Sequence, residues 1–390
     1  MKWEKKTLDE LGTVGRGRSK HRPRNDPKLF GGKYPFIQTA DVKNANFYII
    51  NFSSTYNEEG LAQSKLWPAG TLCITIAANI ADTGILAIPA CFPDSIMGFV
   101  ANEKIADTRF VKYCFDVLQK ECKQISQGTA QDNLSWEKLS TIKFLVPPLS
   151  VQQRIASILS AYDDLIENNQ KQIKLLEEAA QRLYKEWFVD LRFPGHESVK
   201  IVDGVPEGWS RKRLDDIAYV VMGQSPKSEY YNNDLQGLPF HQGVGSYGYR
   251  FLVDGIYSTS YTRIADAGSI IFSVRAPVGR LNITKYKVSI GRGLSAMVHK
   301  HGYQGYLFYM LKNKFFKDDI LGNGSIFASI TKDGLLSQTF ICANDTLLEK
   351  FNDFATNIDK KIEIIDSEIS SLREARDRLL PKLMSGEIEV

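Results

Sequence analysis

Two stretches of the chain carry apolar residues at alternating spacings of three and four, a pattern typical of helices that pair along a narrow seam. The first seam runs through Ile155, Leu159, Tyr162, Ile166, Asn169, Ile173, Leu176, Ala180, Leu183 and Trp187. The second seam comprises Phe351, Ala355, Ile358, Ile362, Ile365, Ile369, Leu372 and Leu379. The pattern predicts two long helices that form a coiled coil. An amphipathic helix lying on a globular core is the alternative.

Residues that start or stop helices mark the predicted ends of these stretches. Ser150, with Gln153 three positions later, has the spacing of a capping box, and no Gly or Pro follows until Pro194. Pro381 lies inside the second stretch and is predicted to kink or end that helix near Leu380.

The two helical stretches belong to an internal repeat. Asp163 maps without a gap onto Asp359, 196 positions later, and upstream Trp3 corresponds to Trp209. A period of this length is too long for a solenoid, so the chain is predicted to hold two copies of one module, each a globular domain followed by a long helix. Because the ends of a domain usually lie close together, we expect the helices to be antiparallel, with one globular domain at each end.

Short runs of β-forming residues between turn signals predict strands in both globular domains, whereas helical spacing predicts one further helix over Thr108–Cys122. The predicted strands are Phe47–Ile50, Thr71–Ile76, Ile85–Ile88 and Ser269–Val274. The fold class is therefore α+β, with two pseudo-symmetric α/β domains separated by an antiparallel coiled coil. The predicted segments are a first domain over 1–147, a helix and linker over 148–196, a second domain over 197–342 and a C-terminal helix over 343–390.

The composition is that of an ordinary globular protein, with 43% hydrophobic and 24% charged residues. No apolar run approaches the roughly 20 residues of a membrane span, and Met1–Lys6 does not open a signal peptide. The five cysteines are odd in number and lack a C-x-x-C pair, which indicates reduced thiols and a cytoplasmic protein. A net charge of +4 permits nucleic-acid binding through local basic patches.

Motifs that carry known catalytic chemistry are missing from the sequence. It holds no G-x-x-x-x-G-K-[ST] phosphate loop, no G-x-S-x-G elbow and no Asp/Asn-Pro-Pro-aromatic motif of adenine methyltransferases. His299 and His301 have no acidic or cysteine partners nearby in sequence, and we interpret them as turn or surface residues and not as metal ligands. The chain is therefore predicted to be non-catalytic.

Basic and polar residues at predicted turns and strand edges are candidates for DNA contacts, since cations neutralise phosphates while amides and guanidinium groups read base edges in the major groove. One Gly- and Pro-punctuated loop supplies Arg16, Arg18, Lys20, Arg22 and Arg24. Further candidates are Gln38, Gln127, Thr129, Gln224, Ser225, Lys227, His241, Gln242, Arg275, Arg292 and Ser325. The alternative interpretation is a solvated basic loop together with ordinary turn and capping residues.

Several motifs resemble the DNA specificity subunits of type I restriction-modification systems. They are the Pro-Pro-Leu-x-x-Gln-x-x-Ile run within Val146–Ala156, Pro206-x-Gly208-Trp209, Ser273–Gly279 and the C-terminal Leu379–Ile388. The resemblance covers the whole chain in the same order of modules. It departs at Lys2-Trp3, where the family has Gly-Trp, and at Ala343-Asn344, where the family has Pro-Pro.

The resemblance implies two target-recognition domains, each reading one half of a split, asymmetric sequence in double-stranded DNA. It also implies that the helices hold the domains apart and dock two methyltransferase subunits, and through them the restriction subunits. The cofactors S-adenosylmethionine, ATP and Mg²⁺ would then bind to those partners and none to this chain. A coiled-coil scaffold that joins proteins without binding DNA is the alternative function, and a stand-alone methyltransferase is disfavoured by the missing motifs.

Overall fold

The computed structural model describes residues 3–76, 82–125, 136–316 and 329–390, without the side chains of residues 120–125, 136 and 138. Its internal contacts divide the chain into two compact units. Unit 1 comprises Met1–Gln170 and Ser367–Val390, and unit 2 comprises Lys171–Asp366. The four predicted segments are consecutive stretches of the chain. Each compact unit, in contrast, combines a globular part with a portion of both long helices.

Unit 1 contains nine strands and six helices within the described residues, and the first long helix continues from it into unit 2. The strands are β1 Glu4–Lys6, β2 Gly12–Arg16, β3 Phe30–Phe36, β4 Tyr48–Ile49, β5 Ser54–Tyr56, β6 Leu72–Thr75, β7 Thr83–Leu86, β8 Ile96–Ala101 and β9 Phe144–Val146. The helices are α1 Leu8–Leu11, α2 Thr39–Asn44, α3 Glu58–Ala62, α4 Thr108–Ile125, α5 Trp136–Thr141 and α6 Leu149–Tyr184.

The main sheet of unit 1 has the strand order β2-β8-β6-β7-β4 and is antiparallel except for the parallel pair β4 and β7. Leu72 and Phe99 from this sheet pack with Phe110 of α4 in one buried cluster, which also includes Ile155 of α6. The apolar side of the sheet is therefore covered by α4 and by the start of the long helix, which accounts for the helical spacing in α4.

Unit 2 contains the remaining elements, and its last helix continues into unit 1. The strands are β10 Ile201–Val202, β11 Val205–Pro206, β12 Ser210–Arg213, β13 Ala218–Met222, β14 Tyr231–Asn232, β15 Leu238–His241, β16 Tyr257–Ser258, β17 Ile264–Ala265, β18 Ile270–Ser273, β19 Leu281–Ile283, β20 Val288–Ile290, β21 Leu294–His299 and β22 Thr339–Cys342. The helices are α7 Leu214–Ile217, α8 Gln304–Phe315, α9 Lys332–Leu336 and α10 Asp345–Ser385.

The main sheet of unit 2 repeats that of unit 1. Its order β13-β21-β18-β19 corresponds strand for strand to β2-β8-β6-β7, and all of its pairs are antiparallel. A second sheet has the order β14-β16-β15-β20-β17, in which β15 and β20 are parallel. The internal repeat predicted from the sequence is thus confirmed in the topology of the globular parts.

The two long helices pack together and are antiparallel. Within unit 1, Asn169 of α6 donates a 3.2 Å hydrogen bond to Glu368 of α10, and Arg376 of α10 donates to Asp163 of α6. From Asn169 to Asp163 the residue numbers on α6 fall, while those of their partners on α10 rise from 368 to 376. This arrangement confirms the α+β fold class with two long helices packed against each other.

Most positions of the two predicted seams are buried. In α6, Ile155, Leu159, Ile166, Asn169, Ile173 and Ala180 are buried, and in α10 Phe351, Ala355, Ile362, Ile365 and Ile369 are buried. The seam is displaced by one residue at the end of the first helix, where Tyr184 and Phe188 are buried in place of Leu183 and Trp187. The α-helix ends at Tyr184, and Lys185–Val189 form a π-helical turn with more residues per turn than an α-helix. In this turn the Phe188 ring lies 5.0 Å from the Tyr306 ring in the core of unit 2.

Both predicted helix boundaries differ from the structure. The first helix begins at Leu149, so Ser150 lies inside it and does not cap it. The second continues through Pro381 to Ser385, so of the two effects predicted for Pro381, a kink or an end near Leu380, the end was wrong. Leu380 and Leu383 are buried in the core of unit 1, and their packing offsets the backbone hydrogen bond that proline cannot donate.

Candidate DNA-recognition surfaces

In unit 1, the basic loop after β2 lies against the turn that precedes β8. The amide of Gly17 donates to the Ile96 carbonyl at 2.8 Å, and the amide of Arg18 donates to the Phe92 carbonyl at 2.9 Å. A Cβ on Gly17 would lie 2.2 Å from the Pro93 carbonyl oxygen, so only glycine permits this approach.

Unit 2 uses the same backbone arrangement. The amide of Gly223 donates to the Leu294 carbonyl at 2.9 Å, and the amide of Gln224 donates to the Ile290 carbonyl at 3.0 Å. A Cβ on Gly223 would lie 2.2 Å from the carbonyl oxygen of Gly291. The hydrogen bonds therefore make Arg18 and Gln224 equivalent positions of the two repeats.

The turn before the paired strand carries opposite charges in the two units. In unit 1 the Ile96 amide donates to the Pro93 carbonyl at 3.0 Å, and Asp94 is the first residue inside this turn. In unit 2 the Leu294 amide donates to the Gly291 carbonyl, also at 3.0 Å, and the first residue inside that turn is Arg292. Asp94 and Arg292 are thus equivalent in backbone position, although their charges differ in sign.

Three arginines of the basic loop in unit 1 are bound to their own chain. Arg24 contacts the Asp94 carboxylate at 2.7 Å, and Arg16 donates to the Asp94 carbonyl at 2.5 Å. Arg22 donates to the carbonyls of Ser19 and His21, both at 2.8 Å. These contacts orient the guanidinium groups, which remain on an exposed surface.

The other two cations of the loop are exposed, and the loop backbone beneath them is fixed by the end of α3. Gln63 accepts hydrogen bonds from the amides of Lys20 and His21 at 2.6 and 3.0 Å, and Ser64 donates to the Arg18 carbonyl at 2.7 Å. Within the described residues, the side chains of Arg18 and Lys20 make no recorded hydrogen bond or ion pair. Gln63 and Ser64 were not predicted as part of the site, because nothing in the sequence links them to a loop more than 40 positions earlier.

Gln38 and Gln242 form a second pair of equivalent positions. Gln38 follows Ile37, whose amide donates to the Cys91 carbonyl at 2.8 Å beside the basic loop. Gln242 follows β15, which pairs in parallel with β20. Both glutamines are exposed, and Gln38 donates to Ser54 at 3.5 Å.

In unit 2, three of the predicted site residues line one recess. Gln242, Arg275 and Arg292 surround a volume of about 200 Å³ next to Ser273. Ser225 accepts a 3.3 Å hydrogen bond from the Arg292 amide, and Thr262 donates to the Gln224 carbonyl at 2.7 Å. The structure thus brings together Gln224, Ser225, Gln242, Arg275 and Arg292, which are spread over nearly 70 positions of the sequence.

His241 is buried and does not line this recess, although the sequence had placed it at a loop or strand edge among the contact candidates. It is buried at the end of β15, 3.2 Å from Asp254, whose carboxylate also accepts from the Tyr286 hydroxyl. Burial lowers the pKa of His241, while the nearby Asp254 carboxylate opposes this shift. The His241 side chain is therefore buried beside Asp254 and is removed from the set of base-contacting candidates.

Four predicted site residues remain. Lys227 is exposed and pairs with Glu229 at 3.7 Å. Gln127, Thr129 and Ser325 lie outside the described residues.

His299, interpreted from sequence as a turn or surface residue, closes a turn in unit 2. It is buried, and its Nδ1 accepts hydrogen bonds from the amides of His301 and Tyr303 at 3.1 and 3.3 Å. Burial lowers the pKa of His299 to about 4. Across the described ranges of the chain, no three His, Cys, Asp or Glu side chains come together as metal ligands would. Among those same ranges, no helix has the length and apolar character to cross a membrane.

Comparison with known proteins places both repeats in one family. The model of the type I restriction modification DNA specificity domain matches residues 1–178 and 206–370. The MjaX type I restriction enzyme specificity subunit of Methanocaldococcus jannaschii is 34% identical over 269 residues, which cover 67% of this chain and 62% of that one. The MjaIX specificity subunit of the same organism is 27% identical over 414 residues, covering 100% of this chain and 94% of that one.

A crystal structure of the type I restriction-modification S subunit from M. genitalium shares the fold, with a TM-score of 0.56 at 17% identity over 98% of this chain and 96% of that one. The resemblance found in the sequence motifs is confirmed by these matches. The chain therefore belongs to the type I restriction-modification DNA specificity family, whose subunits determine the DNA target of the complex and are not its catalytic components.

Proposed function

We propose that the chain reads a split target in double-stranded DNA, with one half-site bound by unit 1 and the other by unit 2. The observation that carries the proposal is the pair of equivalent surfaces, which share backbone hydrogen bonds but differ in side chains, Arg18 against Gln224 and Asp94 against Arg292. A shared backbone arrangement that presents different side chains is expected of two related domains that recognise two different DNA sequences. A scaffold that ignores DNA would not require this pattern.

We assign the two classes of DNA contact to different kinds of side chain. Exposed cations such as Arg18 and Lys20 suit the phosphates, which are the same in every sequence and set affinity and its salt dependence. Amide and guanidinium groups at the recess, among them Gln242 and Arg292, suit base edges in the major groove. On this proposal the basic loop of unit 1 positions the DNA, and the recess of unit 2 reads bases.

The partners proposed for this chain are two methyltransferase subunits bound along the long helices, with restriction subunits joined through them. Ile158 of α6 and Phe354 of α10 are 196 positions apart in the repeat, and both are exposed, by 37% and 36%. Matched apolar residues on matched helix faces suit two copies of the same partner. S-adenosylmethionine, ATP and Mg²⁺ would be bound by those partners.

Mapping the methylated adenines in DNA from cells that express this chain with its methyltransferase subunits tests the proposal. We expect one interrupted sequence with two defined halves and a gap of fixed length. The isolated chain, incubated with labelled S-adenosylmethionine and DNA, should transfer no label. Methylation without a bipartite sequence, or label transfer by the isolated chain, would contradict the proposed function.

A further inference from the structure

We infer that Arg292 is a specificity-determining residue that reads a guanine in the half-site of unit 2, and this inference rests on the proposed function. Arg292 is the first residue inside the turn from Gly291 to Leu294, at the position that Asp94 holds in unit 1. It also lines the recess with Gln242 and Arg275.

The difference in charge between the two repeats distinguishes a base contact from a phosphate contact. Phosphates carry the same negative charge in both half-sites. If this position contacted phosphates in both units, a carboxylate in unit 1 would be repelled by them. Base edges differ between half-sites and offer acceptors or donors according to sequence. A change from Asp94 to Arg292 on the same backbone turn is therefore the change expected of a position that reads a base.

Close packing of the backbone around Arg292 holds the turn in one conformation. A Cβ on Gly293 would lie 2.4 Å from the carbonyl oxygen of Gln242, so the two segments touch directly. The Arg292 amide donates to Ser225, and the Gly291 amide donates to the His241 carbonyl at 2.8 Å. A fixed backbone limits the positions that the Arg292 guanidinium can reach, which base-specific hydrogen bonding requires.

The guanidinium group of Arg292 is available for a ligand. It is exposed, and it makes no recorded hydrogen bond or ion pair with any residue in the described part of the chain. In unit 1, by contrast, Arg24 is held by Asp94. A free guanidinium next to the Gln242 amide matches guanine best, because its two parallel N–H groups can donate to both O6 and N7 in the major groove.

The experiment compares Arg292→Gln with the unaltered chain, each in complex with the methyltransferase subunits. A library of duplexes with randomised half-sites is methylated and sequenced, and binding to target and non-target duplexes is measured across salt concentrations. We expect preference for guanine at one position of one half-site to fall by about tenfold or more, with the other half-site unchanged. Arg211→Gln, an exposed arginine on β12 of the same unit, should leave every position unchanged.

The opposite pattern would overturn the inference. A phosphate contact predicts weaker binding to all duplexes, a salt dependence reduced by about one unit of slope and no change in sequence preference. If the unaltered complex marks no bipartite sequence at all, the proposed function itself fails. If it marks one and Arg292→Gln keeps every base preference, only the assignment of Arg292 fails.

Discussion

Asp163 and Asp359 occupy the same position of the repeat, 196 residues apart, and each is paired by an arginine from a different part of the chain. In unit 1, Asp163 accepts from Arg376 of α10 and from the Tyr113 hydroxyl at 2.6 Å. In unit 2, Asp359 accepts from Arg250, which lies in the globular part before β16. The equivalent carboxylates of the two repeats are thus paired with arginines from non-equivalent positions.

Backbone hydrogen bonds show where this difference arises. The Ile85 amide donates to the Phe47 carbonyl at 3.0 Å in unit 1, and the Ile283 amide donates to the Arg250 carbonyl at 2.9 Å in unit 2. Phe47 and Arg250 are therefore equivalent positions. A phenylalanine cannot pair with Asp163, so in unit 1 the cation comes from the opposite helix.

Replacing Arg250 by methionine should strongly destabilise unit 2. Arg250 is fully buried and pairs with Asp359 and Glu177. Its removal takes the ion-pair partner from Asp359, whereas Glu177 keeps Lys312 at 3.8 Å. Breaking a buried ion pair by removing one partner costs about 3–5 kcal/mol. Chemical denaturation of Arg250→Met should show a loss of this size, whereas Arg211→Met on the exposed strand β12 should change little. A stability equal to that of the unaltered chain would mean that the buried network contributes nothing.

Removing Arg18 and Lys20 together should weaken binding to target and non-target DNA alike. Both side chains are exposed above a loop whose backbone is fixed by Gln63. Salt titrations of the complex should show the slope falling by about one unit for each lost phosphate contact. Arg22→Ala is the matched comparison, since the Arg22 guanidinium already donates to carbonyls of its own loop and should contribute less to the slope. An unchanged slope in the double variant would show that the loop is only solvated.

Acid should weaken the fold of unit 2 through His299. Its pKa is lowered from 6.5 to about 4 in the folded chain, so the unfolded chain binds the additional proton between these values. Stability is therefore retained above pH 6.5 and lost as the pH falls towards 4, by an amount on the order of 2 kcal/mol between pH 7 and 5. His299→Asn keeps an acceptor for the two amides but does not titrate, so the thermal midpoint of this variant should depend less on pH. An equal pH dependence in both proteins would contradict a buried, neutral His299.

The long helices and the main strands could be predicted because their signals are local. The seam through Ile155–Ile173 is a regular spacing of apolar residues, and the strand Ile270–Ser273 contains a continuous apolar run. The contacts that define the surfaces join distant segments, as when Arg24 meets Asp94 or Ser225 meets Arg292. Contacts between distant residues leave no periodic pattern in the sequence. The sequence therefore suggested which residue types form the site, but not which of them lie close together. His241 was misplaced for the same reason, because the sequence does not show that it packs beside Asp254.

Lengthening both long helices should widen the gap between the half-sites. The boundary between the compact units crosses α6 after Gln170 and α10 after Asp366, so insertions there leave both globular parts intact. Four added residues lengthen a helix by about 6 Å and rotate the part of the helix beyond the insertion by about 40° in excess of one turn. Since base pairs are about 3.4 Å apart, the mapped gap should grow by one or two base pairs.

The control for the doubly lengthened variant is the same insertion in α6 alone. It should displace the Ile155–Ile173 seam relative to α10 and weaken assembly with the methyltransferase subunits. An active complex with both insertions and an unaltered gap would mean that the helices dock partners without setting the spacing.

Exchange of the second globular domain tests most directly whether the two units read DNA independently. Residues 197–342, which carry the recess around Arg292, are replaced by the corresponding segment of another family member with a different target. The hybrid is expressed with the methyltransferase subunits, and its methylated sites are sequenced. We predict that one half of the recognised sequence changes to that of the donor, while the other half and the gap are retained. A change in both halves, or in neither, would contradict the assignment of one half-site to each unit.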